Sequence, residues 1–166
     1  NGVYFVNVVN VSHDGKLVQI ETRPEAGRID IGPKRRFWVE HNLLYPVIKG
    51  ASDLDMCRYK PQHELVAIIP NSGITSMYLS QSQMQVERDN PWLYDYFSTF
   101  EEQLKRRSTY RMRMKTAPYY AIYNVGEYTF APWKVVWPEQ PGKKGLPVAV
   151  VKNRTLRGIG EKIIIP

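Results

Sequence analysis

One amphipathic helix signal, placed between two groups of strand-like segments, most constrains the fold of this chain. The signal begins at Asn90-Pro91, where the asparagine can cap free amides and the proline suits the first helical position. Apolar side chains then recur at the spacing of one helical face: Leu93, Phe97, Phe100 and Leu104. The basic run Lys105-Arg106-Arg107 complements the carbonyl end of the helix dipole and predicts where the helix ends.

Strand patterns precede the helix signal. Val3 to Val11 and Leu17 to Glu21 are apolar, β-branched segments joined by His13-Asp14-Gly15-Lys16, whose Asp-Gly pair favours a hairpin turn. Leu65 to Ile69 is a continuous apolar run typical of a buried strand. Leu43 to Lys49 predicts a helix or a turn that enters a loop.

More strand formers follow the helix. Four segments are strand candidates: Tyr119 to Tyr123, Tyr128 to Trp137, Leu146 to Val151 and Lys162 to Ile165. This order predicts an α+β fold, a single mixed domain over residues 1–166 with several mainly antiparallel strands and one long amphipathic helix.

The charge balance favours a partner that carries phosphates. The chain has 23 Lys and Arg against 16 Asp and Glu, a formal charge of +7 and a pI near 9.5. Such a balance is typical of polyanion-binding surfaces, but many basic domains are merely soluble, and charge alone does not separate the two classes. A hydrophobic content of 43% excludes a disordered chain.

The sequence also indicates a compartment. Cys57 is the single cysteine, which rules out an internal disulfide and fits a reducing cytoplasm. No segment reaches the ~20 apolar residues that span a bilayer, so no membrane partner is expected. The strand pattern at the start and the run Ile163 to Pro166 at the end are both expected to be boundaries inside a longer protein.

No residue constellation predicts catalysis. The three histidines are far apart in sequence and lack the neighbours that zinc motifs show. Cys57 and His63 are a conceivable nucleophile and base, but the apolar neighbours of Cys57 favour a buried, inert thiol. Asp53 and Asp55 are expected to be solvated or turn-forming. The chain is therefore expected not to be an enzyme by itself.

Residues 105 to 120 hold the densest signal for binding, because basic and aromatic side chains alternate there. If the segment is extended, Arg111, Arg113 and Lys115 share one face while Met112 and Met114 form an apolar anchor on the other. Cations in that arrangement neutralise phosphates, and arginine also reads guanine edges. The alternative is a helix end with ordinary solvated cations.

Four stretches of the chain resemble the TaqI-like specificity domain, the C-terminal DNA-recognition region of many N6-adenine methyltransferases and fused restriction-modification enzymes. The stretches are Leu44 to Gly50 followed by Asp53 and Arg58-Tyr59, Leu65 to Pro70, Asn90 to Phe97 with Leu104 to Arg107, and Tyr119-Tyr120 with Phe130 to Trp137. Their order and spacing, over residues 44 to 137, carry the resemblance.

The resemblance implies a recognition module for double-stranded DNA, with catalysis supplied by a separate N-terminal methyltransferase domain of the same parent chain. That domain would bind S-adenosylmethionine and the flipped adenine. This chain lacks both the glycine-rich loop and the Asn/Asp-Pro-Pro-aromatic motif such a domain needs, so no cofactor is expected in it.

Seven cations are the candidate DNA contacts, two of them added because they stand in the matching motifs. They are Arg106, Arg107, Arg111, Arg113 and Lys115, with Lys49 and Lys134 from the motifs. The alternative function is a protein-interaction module that docks a partner subunit of a restriction-modification complex through exposed aromatic side chains.

Overall fold

A computed structural model describes residues 2–48, 53–55, 57–59, 65–71, 83–138, 145–156 and 159–164. It confirms the α+β class, with helices beside mainly antiparallel sheets. The strands are β1 Phe5–Val11, β2 Leu17–Thr22, β3 Arg36–Glu40, β4 Leu44–Pro46, β5 Leu54–Asp55, β6 Arg58–Tyr59, β7 Leu65–Ile68, β8 Lys134–Val136, β9 Ala149–Val151, β10 Asn153–Leu156 and β11 Gly160–Ile163.

The largest sheet has five strands in the order β3-β2-β1-β7-β4, and every neighbouring pair is antiparallel. The predicted hairpin between β1 and β2 is confirmed, and Gly15 has the positive φ of 70° that its turn requires. β7 is buried along its whole length, as its continuous apolar run predicts. Within the described part of the helix or turn predicted from Leu43 to Lys49, only Leu43 lies in a turn, because Leu44–Pro46 form β4 and pair with β7.

The described residues also form three pairs of short strands: β5 with β6, β8 with β9 and β10 with β11. The predicted strand over Tyr119 to Tyr123 is absent from the described structure. The side-chain amide of Asn71 takes the place of a strand partner there, since its Nδ2 donates to the Ile122 carbonyl at 2.7 Å and its Oδ1 accepts the Ile122 N–H at 3.2 Å. Of the strand predicted over Tyr128 to Trp137, only Lys134–Val136 form a strand, β8, and Glu127–Phe130 before it form a 3₁₀ turn.

The helices are α1 Gln83–Asp89, α2 Pro91–Thr99, α3 Glu101–Lys105 and α4 Ser108–Arg113. The single long helix is therefore wrong in detail, because Phe100, at φ −115°, interrupts it between α2 and α3. Its predicted apolar stripe is confirmed, since all four side chains are buried: Leu93, Phe97, Phe100 and Leu104.

The main core lies between this stripe and one face of the five-stranded sheet. The Phe37 ring of β3 packs on Tyr96 and Phe100, with ring centroids 5.0 and 5.9 Å apart. Tyr96 donates its hydroxyl to the Val3 carbonyl at 2.7 Å, so this buried polar group is satisfied. The opposite sheet face carries a second apolar cluster that includes Ala67.

The N-terminus of α2 is capped by a carboxylate from another element. Glu40, at the end of β3, accepts the N–H of Trp92 at 3.2 Å and that of Leu93 at 2.9 Å. Asn90, the predicted cap, is buried, and its side-chain amide makes no hydrogen bond with any residue of the described ranges. Pro91 does occupy the first turn, as predicted. The sheet and the helix layer are thus joined by a charge-assisted cap.

We predict that Glu40→Ala lowers the free energy of unfolding by about 1 kcal/mol, because two helix amides lose their acceptor. Urea denaturation measures the effect. The matched control is Glu21→Ala on the neighbouring strand, which removes only an exposed ion pair to Arg36 and should cost less than about 0.5 kcal/mol. Equal losses in the two variants would contradict a capping role.

Candidate functional site

The segment predicted to present an extended row of cations is helical. α4 runs from Ser108 to Arg113, so Arg111 and Arg113 lie about 200° apart around the helix axis. The two methionines do not form a common anchor either, since Met112 is 78% exposed and Met114 only 2%. The extended arrangement is therefore wrong, because arginine and methionine are good helix formers and the alternating pattern does not outweigh that preference.

Arg107 is half-buried and holds parts of the fold together. Its Nε donates to the Leu104 carbonyl at 2.9 Å, and its Nη2 donates to the Tyr119 carbonyl. The guanidinium also lies over the rings of Tyr4 and Tyr110, 5.2 and 5.8 Å from their centroids. All of these partners are neutral, so the half-buried charge of Arg107 meets no carboxylate within the described residues.

Two further predicted contacts are also engaged within the chain. Arg113 donates through Nη1 to the Tyr123 hydroxyl at 2.7 Å and lies over the same ring. Lys134, in β8, donates through Nζ to the Ala131 carbonyl, and burial lowers the pKa of this ammonium group. Lys134 is thus a structural residue, whereas Arg113 remains exposed. Lys49 lies outside the described residues.

The remaining three candidates, Arg106, Arg111 and Lys115, are exposed, and their side chains make no hydrogen bond or ion pair with any described residue. No acidic residue occurs between Glu102 and Glu127 in the sequence. In the described structure, the only ion pair made by a cation of this stretch joins Lys105 to Glu101, just before the stretch, at 2.6 Å. We refer to Arg106, Arg111, Arg113 and Lys115 as the α4 cations. They surround α4 without neutralising carboxylates.

A groove of about 850 Å³ opens beside α4, on the sheet face opposite the main core. Three arginines line it: Arg28, Arg106 and Arg107. Sequence reasoning missed Arg28, because a lone arginine in a loop has no periodic pattern or motif that marks it. Arg28 is exposed and has no side-chain partner in the described part of the chain. No described carboxylate lines the groove.

The pair β8–β9 presents an apolar outer face. Trp133, Val135 and Trp137 are 61, 57 and 60% exposed, and Val150, directly opposite Val135, is 61% exposed. Lys152 lies with its Nζ 5.1 Å from the Trp133 ring centroid. We refer to these four apolar residues as the β8–β9 patch. The sequence predicts exposed aromatic side chains for the alternative function but does not indicate which residues they are.

Two of the residues considered for catalysis, Cys57 and Asp53, have described side chains. Cys57 is exposed, so the predicted buried thiol is wrong, and its backbone N–H donates to the Val148 carbonyl at 3.1 Å. Asp53 is buried, so of its two predicted alternatives the solvated one is wrong, and its backbone lies in a single 3₁₀ position, which fits the turn-forming one. His63 lies outside the described residues. Over the described ranges, no three His, Cys, Asp or Glu side chains are grouped to hold a metal ion.

No described helix has the length and apolar character needed to cross a bilayer. No protein-family model, curated protein or solved structure matches the chain. Function is therefore inferred from the geometry and charge of the site.

We predict that Arg107→Ala lowers the free energy of unfolding by about 2 kcal/mol, because two charge-assisted hydrogen bonds and two ring contacts disappear. The neighbouring Arg106→Ala removes the same charge from an exposed, unpartnered side chain and should change stability by less than about 0.5 kcal/mol. Chemical denaturation of both variants checks the difference. A small effect of Arg107→Ala would show that its contacts do not hold the fold.

Proposed function

We propose that this chain is a sequence-specific recognition module for double-stranded DNA. The observation that carries the proposal is the group of α4 cations, which concentrate positive charge in a stretch that has no carboxylate between Glu102 and Glu127. Exposed cations that meet no carboxylate among the described residues keep their charge available for phosphates, and binding then gains from release of condensed counterions. The net charge of +7 adds long-range attraction to the same partner.

The residues of the segment divide into supporting and contacting roles. Arg107 fixes the start of α4 against the sheet through Tyr4 and Tyr119. Arg111 and Lys115 are free to reach phosphates, and Arg113 presents its guanidinium from a fixed position on Tyr123. Phosphate contacts of this kind set the register of a protein on the duplex, and a few of the arginines then read base edges.

The proposal includes the kind of enzyme to which this recognition module would belong. The resemblance of four stretches to the TaqI-like specificity domain supports recognition for an S-adenosylmethionine-dependent N6-adenine DNA methyltransferase of a restriction-modification or phage-defence system in the cytoplasm. The cofactor and the adenine pocket would belong to an N-terminal catalytic domain of the same parent chain, because the motifs that hold them are missing from this sequence. The role of this chain would be to position the duplex.

We predict that the double charge reversal Arg111→Glu with Lys115→Glu weakens binding of a fluorescein-labelled duplex at least about tenfold, because two phosphate contacts become repulsive. Fluorescence anisotropy at fixed salt measures the affinity. Neither side chain has a partner within the described residues, so the melting temperature should change little.

The matched control is Lys16→Glu with Lys34→Glu, the same charge change at exposed lysines of the β1–β2 turn and of the loop before β3. This control should lose far less affinity, because a local contact surface responds more strongly than the overall charge. Equal losses in the two double variants would remove α4 from the DNA contact and leave only a net-charge effect.

The β8–β9 patch favours a second candidate function, docking of a partner subunit of a restriction-modification complex. Exposed tryptophan beside β-branched side chains is typical of protein interfaces. We predict that Trp137→Ser with Val150→Ser leaves duplex affinity unchanged within about twofold, because these apolar side chains carry no charge for phosphates. A loss of duplex affinity as large as that caused by the α4 charge reversal would instead place DNA on the patch.

A further inference from the structure

We propose that the groove beside α4 binds a single nucleotide, with its base on the apolar floor and its phosphate at Arg28 and Arg106. The nucleotide is an unpaired one in the DNA strand, and this source rests on the proposed function. Arg111 and Lys115 do not line the groove, whereas Arg106 is one of the α4 cations and also lines it, so the two sites adjoin at Arg106.

The floor of the groove is apolar and built on the second face of the sheet. Phe5 in β1 pairs with Ala67 in β7, and both line the groove beside Val47 and Ile69. Ile122 closes one side. A groove of about 850 Å³ lies within the usual size range of small-molecule sites and is large enough for a nucleotide. Val47, Ala67 and Ile69 are themselves buried, so the apolar surface that a planar group could cover comes from the half-buried side chains of Phe5 and Ile122.

The charge around the groove is positive and unbalanced. Arg28 and Arg106 lie at its lining without partners in the described chain, and Arg107 contributes a half-buried guanidinium bonded only to backbone carbonyls. A half-buried charge is screened less than an exposed one, so its field extends into the groove. Because no described carboxylate lines the groove, an anionic ligand is the complement of its charge.

The apolar floor and the arginines that line the groove together determine which class of ligand the groove can bind. Inorganic phosphate would meet the guanidinium groups but leave the floor uncovered, and a neutral base would cover the floor but leave the charge unmatched. A nucleotide satisfies both, because guanidinium forks bind phosphate oxygens in pairs and a base stacks on aromatic rings such as Phe5 and Tyr123. The same chemistry could come from a free nucleotide or from a DNA strand.

The first test uses small ligands and the intact chain, so it is independent of duplex binding. Ligand-observed NMR titrations compare deoxyadenosine monophosphate with 2-deoxyribose 5-phosphate, which lacks the base. The nucleotide should bind about tenfold more tightly, because only it covers the floor. Arg28→Ala should weaken the nucleotide about fivefold or more, Arg28→Lys less, and Lys16→Ala not at all. Equal binding of the two ligands, or an unaffected Arg28→Ala variant, overturns the proposal.

The second test separates the two sources of the nucleotide. Anisotropy compares a fully paired duplex with the same duplex carrying one unpaired adenine. The chain should prefer the unpaired site about fivefold, and Arg28→Ala should abolish that preference while leaving affinity for the paired duplex nearly unchanged. Nucleotide binding without any preference for the unpaired adenine would overturn the assignment to a DNA strand.

The two proposals fail in different ways. Loss of paired-duplex binding in the Arg111→Glu with Lys115→Glu variant tests the proposed function, while Arg28→Ala tests the groove. If the chain binds the nucleotide in an Arg28-dependent manner but no duplex, the proposed function and the strand source are both overturned and only the nucleotide chemistry of the groove is supported.

Discussion

The guanidinium of Arg107 joins three parts of the fold on which the candidate site depends. It bonds the end of α3 through Leu104 and the segment before the groove wall through Tyr119, and it lies on Tyr4 next to β1. Because these partners are neutral, the cation supports the structure without losing its charge to a carboxylate. The same side chain thus positions α4 and makes the groove beside it electropositive.

This arrangement explains how a basic segment is both ordered and available for binding. Two cations of the segment have partners within the chain. Lys105 forms an ion pair with Glu101, and Arg107 donates hydrogen bonds to backbone carbonyls. The others surround a short helix whose start is held by Arg107, so their backbone positions are fixed while their charges remain unmatched. Of these side chains, only Arg113 is held before binding by a residue of the described ranges, Tyr123, which lowers the entropy that it would lose on contact with a phosphate. The long-range attraction from the net charge and the local arrangement of the α4 cations therefore both favour a partner that carries phosphates.

Much of the fold could be predicted from periodicity and turn chemistry. The stripe through Phe97 and Phe100, the buried β7 and the Asp-Gly hairpin follow from spacing alone and are confirmed. The capping of α2 could not be predicted, because the acceptor Glu40 is distant in sequence. The break at Phe100 and the replacement of a strand partner by Asn71 likewise depend on tertiary contacts.

The candidate site, like the fold, could be predicted from the sequence only in part. The sequence composition indicated the basic stretch, but the alternation of basic and apolar residues suggested an extended segment where the structure has a helix. The sequence also could not distinguish Arg107, which supports the fold, from Arg111, which is exposed.

The most direct test of the central claim is the slope of log affinity for duplex DNA against log salt concentration. The unmatched α4 cations predict a slope between about −2 and −4. A slope near zero would contradict DNA recognition by these charges.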